Sequence, residues 1–204
     1  MRGKKLSTVF YLQEDVVKIA QELLGTLLCT YIDHKFTSGI IVETEAYQGP
    51  EDAASHAYNS RRTTRTEVMF LEGGKSYVYL IYGIYKLFNI VTAKQGIPHA
   101  VLIRAIEPKE GLDIMKKRRA ITTTKKNISS GPGLLTQALG INLIHNKLSL
   151  NGPLIWLEEK KDKLPKEAII ASTRIGLNHV KEPYKSIHWR FYIKDNSFAS
   201  YPCK

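Results

Sequence analysis

The chain has 204 residues, 43% of them hydrophobic, which is enough to fill one core and too apolar for a disordered segment. Its 30 Lys and Arg against 19 Asp and Glu leave a formal charge of +11, a field that attracts polyanions, nucleic acid first among them. The two cysteines, Cys29 and Cys203, lie far apart and outside any C-x-x-C, which argues against a disulfide between them and against a cysteine-ligated zinc or iron–sulfur centre.

The amino terminus, Met1-Arg2-Gly3-Lys4-Lys5, is basic, but Glu14-Asp15 arrives before any apolar signal segment develops. No run of about 18 apolar residues occurs, so a soluble, intracellular protein is expected. Ser7-Thr8, then Val16, Val17, Ile19, Ala20, Leu23 and Leu24 at helical spacing, predict one amphipathic helix that stops at Gly25. A strand from Leu27 to Ile32 follows, with a turn at Asp33-His34-Lys35 and a return strand from Gly39 to Tyr47. From Gln48 to Thr66 the chain turns polar, with Gly49-Pro50, Asn59-Ser60 and the run Arg61-Arg62-Thr63-Thr64-Arg65, and reads as a long surface segment. Ordered loops of that length usually serve a function.

Tyr77 to Tyr82 and Tyr85 to Thr92 predict two strands joined around Gly83, and Ala100 to Ile106 another that ends at Glu107-Pro108. Leu112 to Arg119 reads as a basic helix, Thr122 to Ser130 as a polar loop, and Gly131-Pro132-Gly133 opens a short helix from Leu134 to Leu139 closed by Gly140. Strands near Leu154–Leu157, Ala168–Ser172 and Arg190–Ile193 complete the chain. Sequence-adjacent strands dominate, so the expected class is α+β: a single mixed domain over residues 1–204, with a curved, largely antiparallel sheet, flanking helices and a protruding β-hairpin.

Alternation along the strand places Ile41, Glu43, Glu45 and Tyr47 on one face and Val42, Thr44 and Ala46 on the other. A carboxylate among apolar strand residues is partly desolvated and suits a general base, which makes Glu45 beside Tyr47 the first candidate; the competing reading is a solvated strand face. Two glutamates two apart place their Cβ atoms about 7 Å apart, near glycosidase spacing, yet they point the same way and do not flank a sugar. His56 stands alone, and the histidines show no metal-ligand spacing; no phosphate-binding glycine loop is visible, and Gly131-Pro132-Gly133 reads as a structural turn. Tyr77, Tyr79 and Ile81 share one strand face, so Tyr79 can face a pocket. Tyr82, a large ring just before a hairpin glycine, suits a wedge between base steps.

In order along the chain, Glu43-Thr44-Glu45-Ala46-Tyr47, Gly49-Pro50-Glu51-Asp52, His56, Met69-Phe70, Tyr77-Val78-Tyr79, Ile81-Tyr82-Gly83, Asn89, Leu102-Ile103-Arg104-Ala105, Glu107-Pro108, Gly131-Pro132-Gly133 and Arg174-Ile175-Gly176 resemble the alkyladenine (3-methyladenine) DNA glycosylase family. The resemblance implies a monomeric, cofactor-free hydrolase that flips alkylated or deaminated purines out of double-stranded DNA and cleaves the N-glycosidic bond, leaving an abasic site. The lesions implied are 3-methyladenine, 7-methylguanine, ethenoadenine and hypoxanthine. It further implies that Glu45 activates water with Arg104 nearby, that Tyr47, His56 and Tyr79 hold the purine, that Asn89 screens its substituents and that Tyr82 fills the gap in the minor groove. No lysine matches a nucleophile position, so no lyase step is expected. Arg61, Arg62, Arg65, Lys116, Lys117, Arg118 and Arg119 are candidate phosphate contacts. Thr66 and Leu134 depart from the family pattern, where asparagine and a basic residue are common. An inactive relative that only binds distorted DNA is the rival reading, and RNA binding is weaker because no RRM-like aromatic motif occurs.

Overall fold

A computed structural model describes residues 3–122, 128–160 and 164–200. The first helical segment is two helices, α1 (Thr8–Tyr11) and α2 (Val16–Glu22), where the periodicity predicted one. The reason is Asp15, whose side chain accepts the Lys18 N–H at 2.9 Å and so caps a new helix start. Val16, Ile19 and Ala20 of α2 are buried, together with Leu23 and Leu24 just beyond it.

Strands β1 (Leu27–Ile32) and β2 (Lys35–Gln48) meet through Asp33 and His34, both at positive φ (54° and 57°), a two-residue turn that matches strand twist. The return strand therefore starts at Lys35, well before Gly39. Next come β3 (Ser76–Ile81), β4 (Tyr85–Thr92) and β5 (His99–Glu110). β5 runs past the expected stop at Glu107-Pro108: Pro108 lies opposite Gly39 beside a register shift, the kind of irregular position that tolerates a residue without an N–H. After α3 (Leu112–Arg119) and α4 (Pro132–Leu139) the chain adds β6 (Ile155–Glu158), β7 (Ile169–Ser172) and β8 (Arg190–Ile193). The sheet order is β3-β4-β5-β2-β1-β6, with β8 joining β2 and β7 joining β8, every pairing antiparallel. The class is α+β, as expected.

The main core packs α2 and α4 against the sheet through residues such as Ile19, Leu24, Phe88, Ile90, Ile103, Leu135 and Leu139. Ile41 and Ala46, of opposite parity, both belong to it, so strict alternation along β2 fails. The β2–β5 register shifts on both sides of Glu43, and this irregularity takes Ile41 off the face predicted for Glu43 and Glu45. A smaller core holds Ala57, Val68, Met69, Phe70, Tyr77, Val91 and Ala100, and anchors the segment predicted to lie wholly on the surface. Asp52, within that segment, is fully buried against Arg174, which is why a polar stretch is fixed in place. The polar loop expected at 122–130 falls in part on residues 123–127, outside the described residues, while Ile128 and Ser129 are buried. Cys29 is buried in β1, and Cys203 lies outside the described residues. Among the described residues no helix is long and apolar enough to cross a membrane.

Candidate active site

A cavity of about 750 Å³ opens between the β3–β4 hairpin, the start of α4 and the segments after β2 and β7. Glu45, Tyr47, His56, Tyr79, Asn89 and Arg104 all line it, and Tyr82 stands at its rim. Strand pleating delivers them: β2 presents Glu45 and Tyr47, β3 presents Tyr77 and Tyr79, β4 Asn89, and β5 Arg104.

Glu43 and Glu45 have no exposed surface, which overturns a solvated strand face. Glu43 accepts from Arg104 Nε at 2.8 Å, Arg190 Nη1 at 3.1 Å, the Ser200 amide at 2.6 Å and the Ser200 hydroxyl at 2.9 Å. Burial pushes its carboxyl pKa up, but Arg104 and the two Ser200 bonds outweigh this and hold it below the ordinary value. Arg104 reaches Glu45 Oε1 with Nη1 at 3.3 Å, and the Ile175 amide donates to the same oxygen at 2.7 Å. Among the described residues Glu45 Oε2 accepts only the Tyr47 hydroxyl, at 2.8 Å, so this oxygen retains acceptor capacity. Burial lowers the affinity of Arg104 for its proton, yet Glu45 and Glu43 more than restore it, and the guanidinium stays charged.

The aromatic walls are built in layers. The Arg174 guanidinium lies over the Tyr47 ring at 4.8 Å and over Trp189 at 5.3 Å, while both its terminal nitrogens bond Asp52. Burial, then Glu45 and Tyr79, push the Tyr47 hydroxyl well above its ordinary pKa, which keeps it a donor. Tyr79 packs against Tyr77 at 5.1 Å and edge-on to His56 at 4.7 Å, and Arg65 lies over its ring at 4.6 Å. His56 Nδ1 and the Tyr77 hydroxyl are 2.8 Å apart. Although its ring borders the open cavity, the crowded wall and the nearby Arg65 and Arg61 depress His56 to about 4, and burial raises Tyr77 to about 12. Asn89 donates to the Tyr77 carbonyl at 3.1 Å, which fixes its amide in the wall.

At the hairpin tip Tyr82 has φ 52° and is 82% exposed; Ile84 beside it is 67% exposed. Gly131, Pro132 and Gly133, predicted as a plain structural turn, line the cavity instead. A Cβ on Gly133 would stand 2.7 Å from Tyr85 Cδ1, so only glycine lets the start of α4 approach the hairpin this closely. Arg61 and Arg65 line a second cavity of about 340 Å³ that shares His56 with the first, and Arg62 stacks on Phe70 at 4.4 Å. Thr66, despite its departure from the pattern, knots this loop by donating to the Arg61 carbonyl at 2.9 Å and accepting the Thr63 amide at 2.8 Å.

The basic helix is a different matter. Gly111, at the start of α3, lies against Phe36 and Thr37, and Arg118 bonds the Ile32 carbonyl at 3.0 Å, so α3 sits by the β1–β2 turn. Along β2 that is about 25 Å from Glu45, given ~3.3 Å per residue. Arg118 and Arg119 also bond Ala138, Ile128 and Gln137, which gives them a structural use that a run of cations in sequence does not reveal. Lys116 and Lys117 ride on the same helix, away from the cavity that Arg61 and Arg65 border.

Asp52, Arg174, Ile175, Arg190 and Ser200 are the site residues that the sequence did not single out for a role. The Asp52 and Arg174-Ile175 fragments within the collinear set were the available signal; Arg190 and Ser200 had none. Residues 10–197 match the family described as methylpurine-DNA glycosylase. A Chlamydia felis protein named "Putative 3-methyladenine DNA glycosylase" is 48% identical over 185 residues, 90% of this chain and 93% of that protein. Proteins of the same name from Bacillus cytotoxicus and Clostridium acetobutylicum are 44% and 42% identical, covering 94% and 96% of this chain and 97% of each relative. The chain belongs to the methylpurine-DNA glycosylase family.

Proposed function

We infer that this protein excises alkylated or deaminated purines from double-stranded DNA by hydrolysing the N-glycosidic bond after flipping the nucleotide, and that it works as a monomer without a lyase step. The observation that carries the reading is the buried Glu45 carboxylate, oriented by Arg104, Tyr47 and the Ile175 amide at the wall of an aromatic cavity. The names of the relatives point to 3-methyladenine, and the breadth of the cavity is compatible with 7-methylguanine, ethenoadenine and hypoxanthine as well.

Extruding a nucleotide costs a few kcal/mol, and stacking of about 1–3 kcal/mol per base offsets much of it. Tyr47 and Tyr79 supply that stack, Asn89 and His56 border the purine edge, and Tyr82 occupies the gap the base leaves. As the glycosidic bond lengthens, positive charge grows on the sugar. Glu45, ionised, stabilises that charge and accepts a proton from attacking water at Oε2, while Arg104 holds its other oxygen in place. The glycosidic electron pair leaves with the purine while the water oxygen bonds the sugar carbon and keeps one proton as the new hydroxyl. The other proton, taken by Glu45, passes to solvent when a cationic purine departs neutral, and a neutral lesion departing as an anion takes a proton from water.

Glu45→Gln keeps the shape of the site and removes its charge. Excision of hypoxanthine and ethenoadenine from defined duplexes, read as alkali-labile abasic sites, should fall by more than about 100-fold while lesion binding persists. Borohydride should trap no covalent adduct with the wild type. A Glu45→Gln protein that cuts at the wild-type rate sinks the catalytic assignment, and a wild type that binds these duplexes without cutting any is a damage-recognition module instead.

A further inference from the structure

Both tyrosines of the purine slot already carry a guanidinium on one ring face: Arg174 on Tyr47 at 4.8 Å and Arg65 on Tyr79 at 4.6 Å. The two cations differ in one respect. Arg174 is neutralised by Asp52 in a fully buried pair, whereas among the described residues no carboxylate lies within ion-pair distance of Arg65. Arg65 lines the second cavity and not the main one, while Tyr79 lines the main cavity and not the second, so the guanidinium approaches the ring from the second cavity's side. A purine stacked on the open face of Tyr79 then has an uncompensated positive charge about 8–10 Å away, on the far side of its stacking partner.

That arrangement has a consequence for charge selection. Purine nucleotides alkylated on a ring nitrogen, as in 3-methyladenine and 7-methylguanine, are cationic, while hypoxanthine and ethenoadenine nucleotides are neutral. A cation seeks the negative face of an aromatic ring, and a second cation on the opposite face of the same ring opposes it directly. Glu45, on the same slot, attracts the cationic base; Arg65 works against that attraction without touching the base. We propose that Arg65 is a specificity-determining residue that, stacked behind Tyr79, tilts the purine slot away from cationic lesions and towards neutral ones. The proposal rests on the glycosylase reading above and deepens it.

At about 9 Å and an effective dielectric between about 20 and 40, removing this charge corresponds to roughly a three- to thirtyfold change in preference, with solvent at the exposed Arg65 favouring the lower end. The experiment is single-turnover excision by the full chain from four duplexes, two with cationic lesions (3-methyladenine, 7-methylguanine) and two with neutral ones (hypoxanthine, ethenoadenine), for wild type, Arg65→Gln, Arg65→Lys and Arg62→Gln. Arg65→Gln should raise the cationic-to-neutral rate ratio about three- to tenfold. Arg65→Lys, which keeps the charge, should stay near the wild-type ratio, and so should Arg62→Gln, because Arg62 stacks on Phe70 outside the slot. Equal losses on all four duplexes with Arg65→Gln reduce Arg65 to a backbone contact and overturn the proposal, as does a ratio that moves the other way. Absence of excision by the wild type on every duplex strikes the glycosylase reading itself, a result distinct from an unchanged ratio.

Discussion

His56 shows how one residue's surroundings fix its chemistry. It borders the cavity, yet the wall formed with Tyr77 and Tyr79, together with Arg65 and Arg61, depresses its pKa from 6.5 to about 4. Between those two values the unfolded chain binds the proton and the folded protein does not, so stability is complete above the unfolded value and falls as pH drops from about 6.5 towards 4. His99 and His145 are also depressed by burial and act in the same direction. His56→Gln should therefore flatten the loss of thermal midpoint between pH 7 and pH 5 without abolishing it. The ring itself should titrate near 4 by NMR, uncharged throughout the neutral range; a midpoint near 6.5 would remove His56 as a fixed neutral partner for the purine edge.

In the proposed function, the element that meets the DNA is the β3–β4 hairpin. Its tip places a tyrosine at φ 52°, a left-handed conformation that costs an L-residue roughly 1–2 kcal/mol, and leaves the ring 82% exposed. A side chain held there against its backbone preference does nothing for the core. Tyr82→Gly relieves the strain and loosens the unfolded chain, two effects that nearly cancel, so stability should change by no more than about 1 kcal/mol. Excision from a fully paired duplex should nonetheless fall about tenfold or more, and less from a mismatched one where the base already leaves the stack easily. If Tyr82→Gly cuts both as wild type does, the tip is no wedge. The hairpin was legible because alternation and a turn glycine are local signals, and Tyr79 and Tyr82 could be placed from them alone. The break between α1 and α2 was not, since Asp15 looks like any polar residue in a helical pattern until its side chain is seen capping Lys18. Nor was the β2 irregularity around Glu43, which carries no residue signature yet decides which side chains share the face of Glu45.

At the scale of the whole molecule, the site is held by residues that converge from opposite ends of the chain. Ser200 meets Glu43 across 157 residues and Ile175 meets Glu45 across 130, which is why reading along the sequence found the carboxylates, Tyr47 and Arg104 but missed the distant Ser200 and Ile175 that complete their hold. Glu43 joins β2 to β5 through Arg104, to β8 through Arg190 and to the carboxy-terminal segment through Ser200. Its charge is fully buried and its partners are nearly so, with Arg104 and Arg190 6% and 7% exposed. Removing one member of such a group strands the others, a loss of about 3–5 kcal/mol, whereas the intact group adds little beyond an apolar packing of equal volume. Glu43→Gln should thus lower the urea unfolding free energy by about 3–5 kcal/mol and reduce excision, because Arg104 loses the anchor that aims it at Glu45. Arg190→Met alone should also destabilise, but the double variant should lose less than the two single losses combined, since each then lacks the partner the other has stranded. Because the folded carboxyl of Glu43 titrates below its ordinary value, its contribution is present above about 4.5 and disappears as pH falls through the folded pKa, so the wild type and Glu43→Gln should converge in acid. Strict additivity in the cycle, with no convergence in acid, would mean that Glu43 and Arg190 hold the sheet independently and that the aim of Arg104 is set elsewhere.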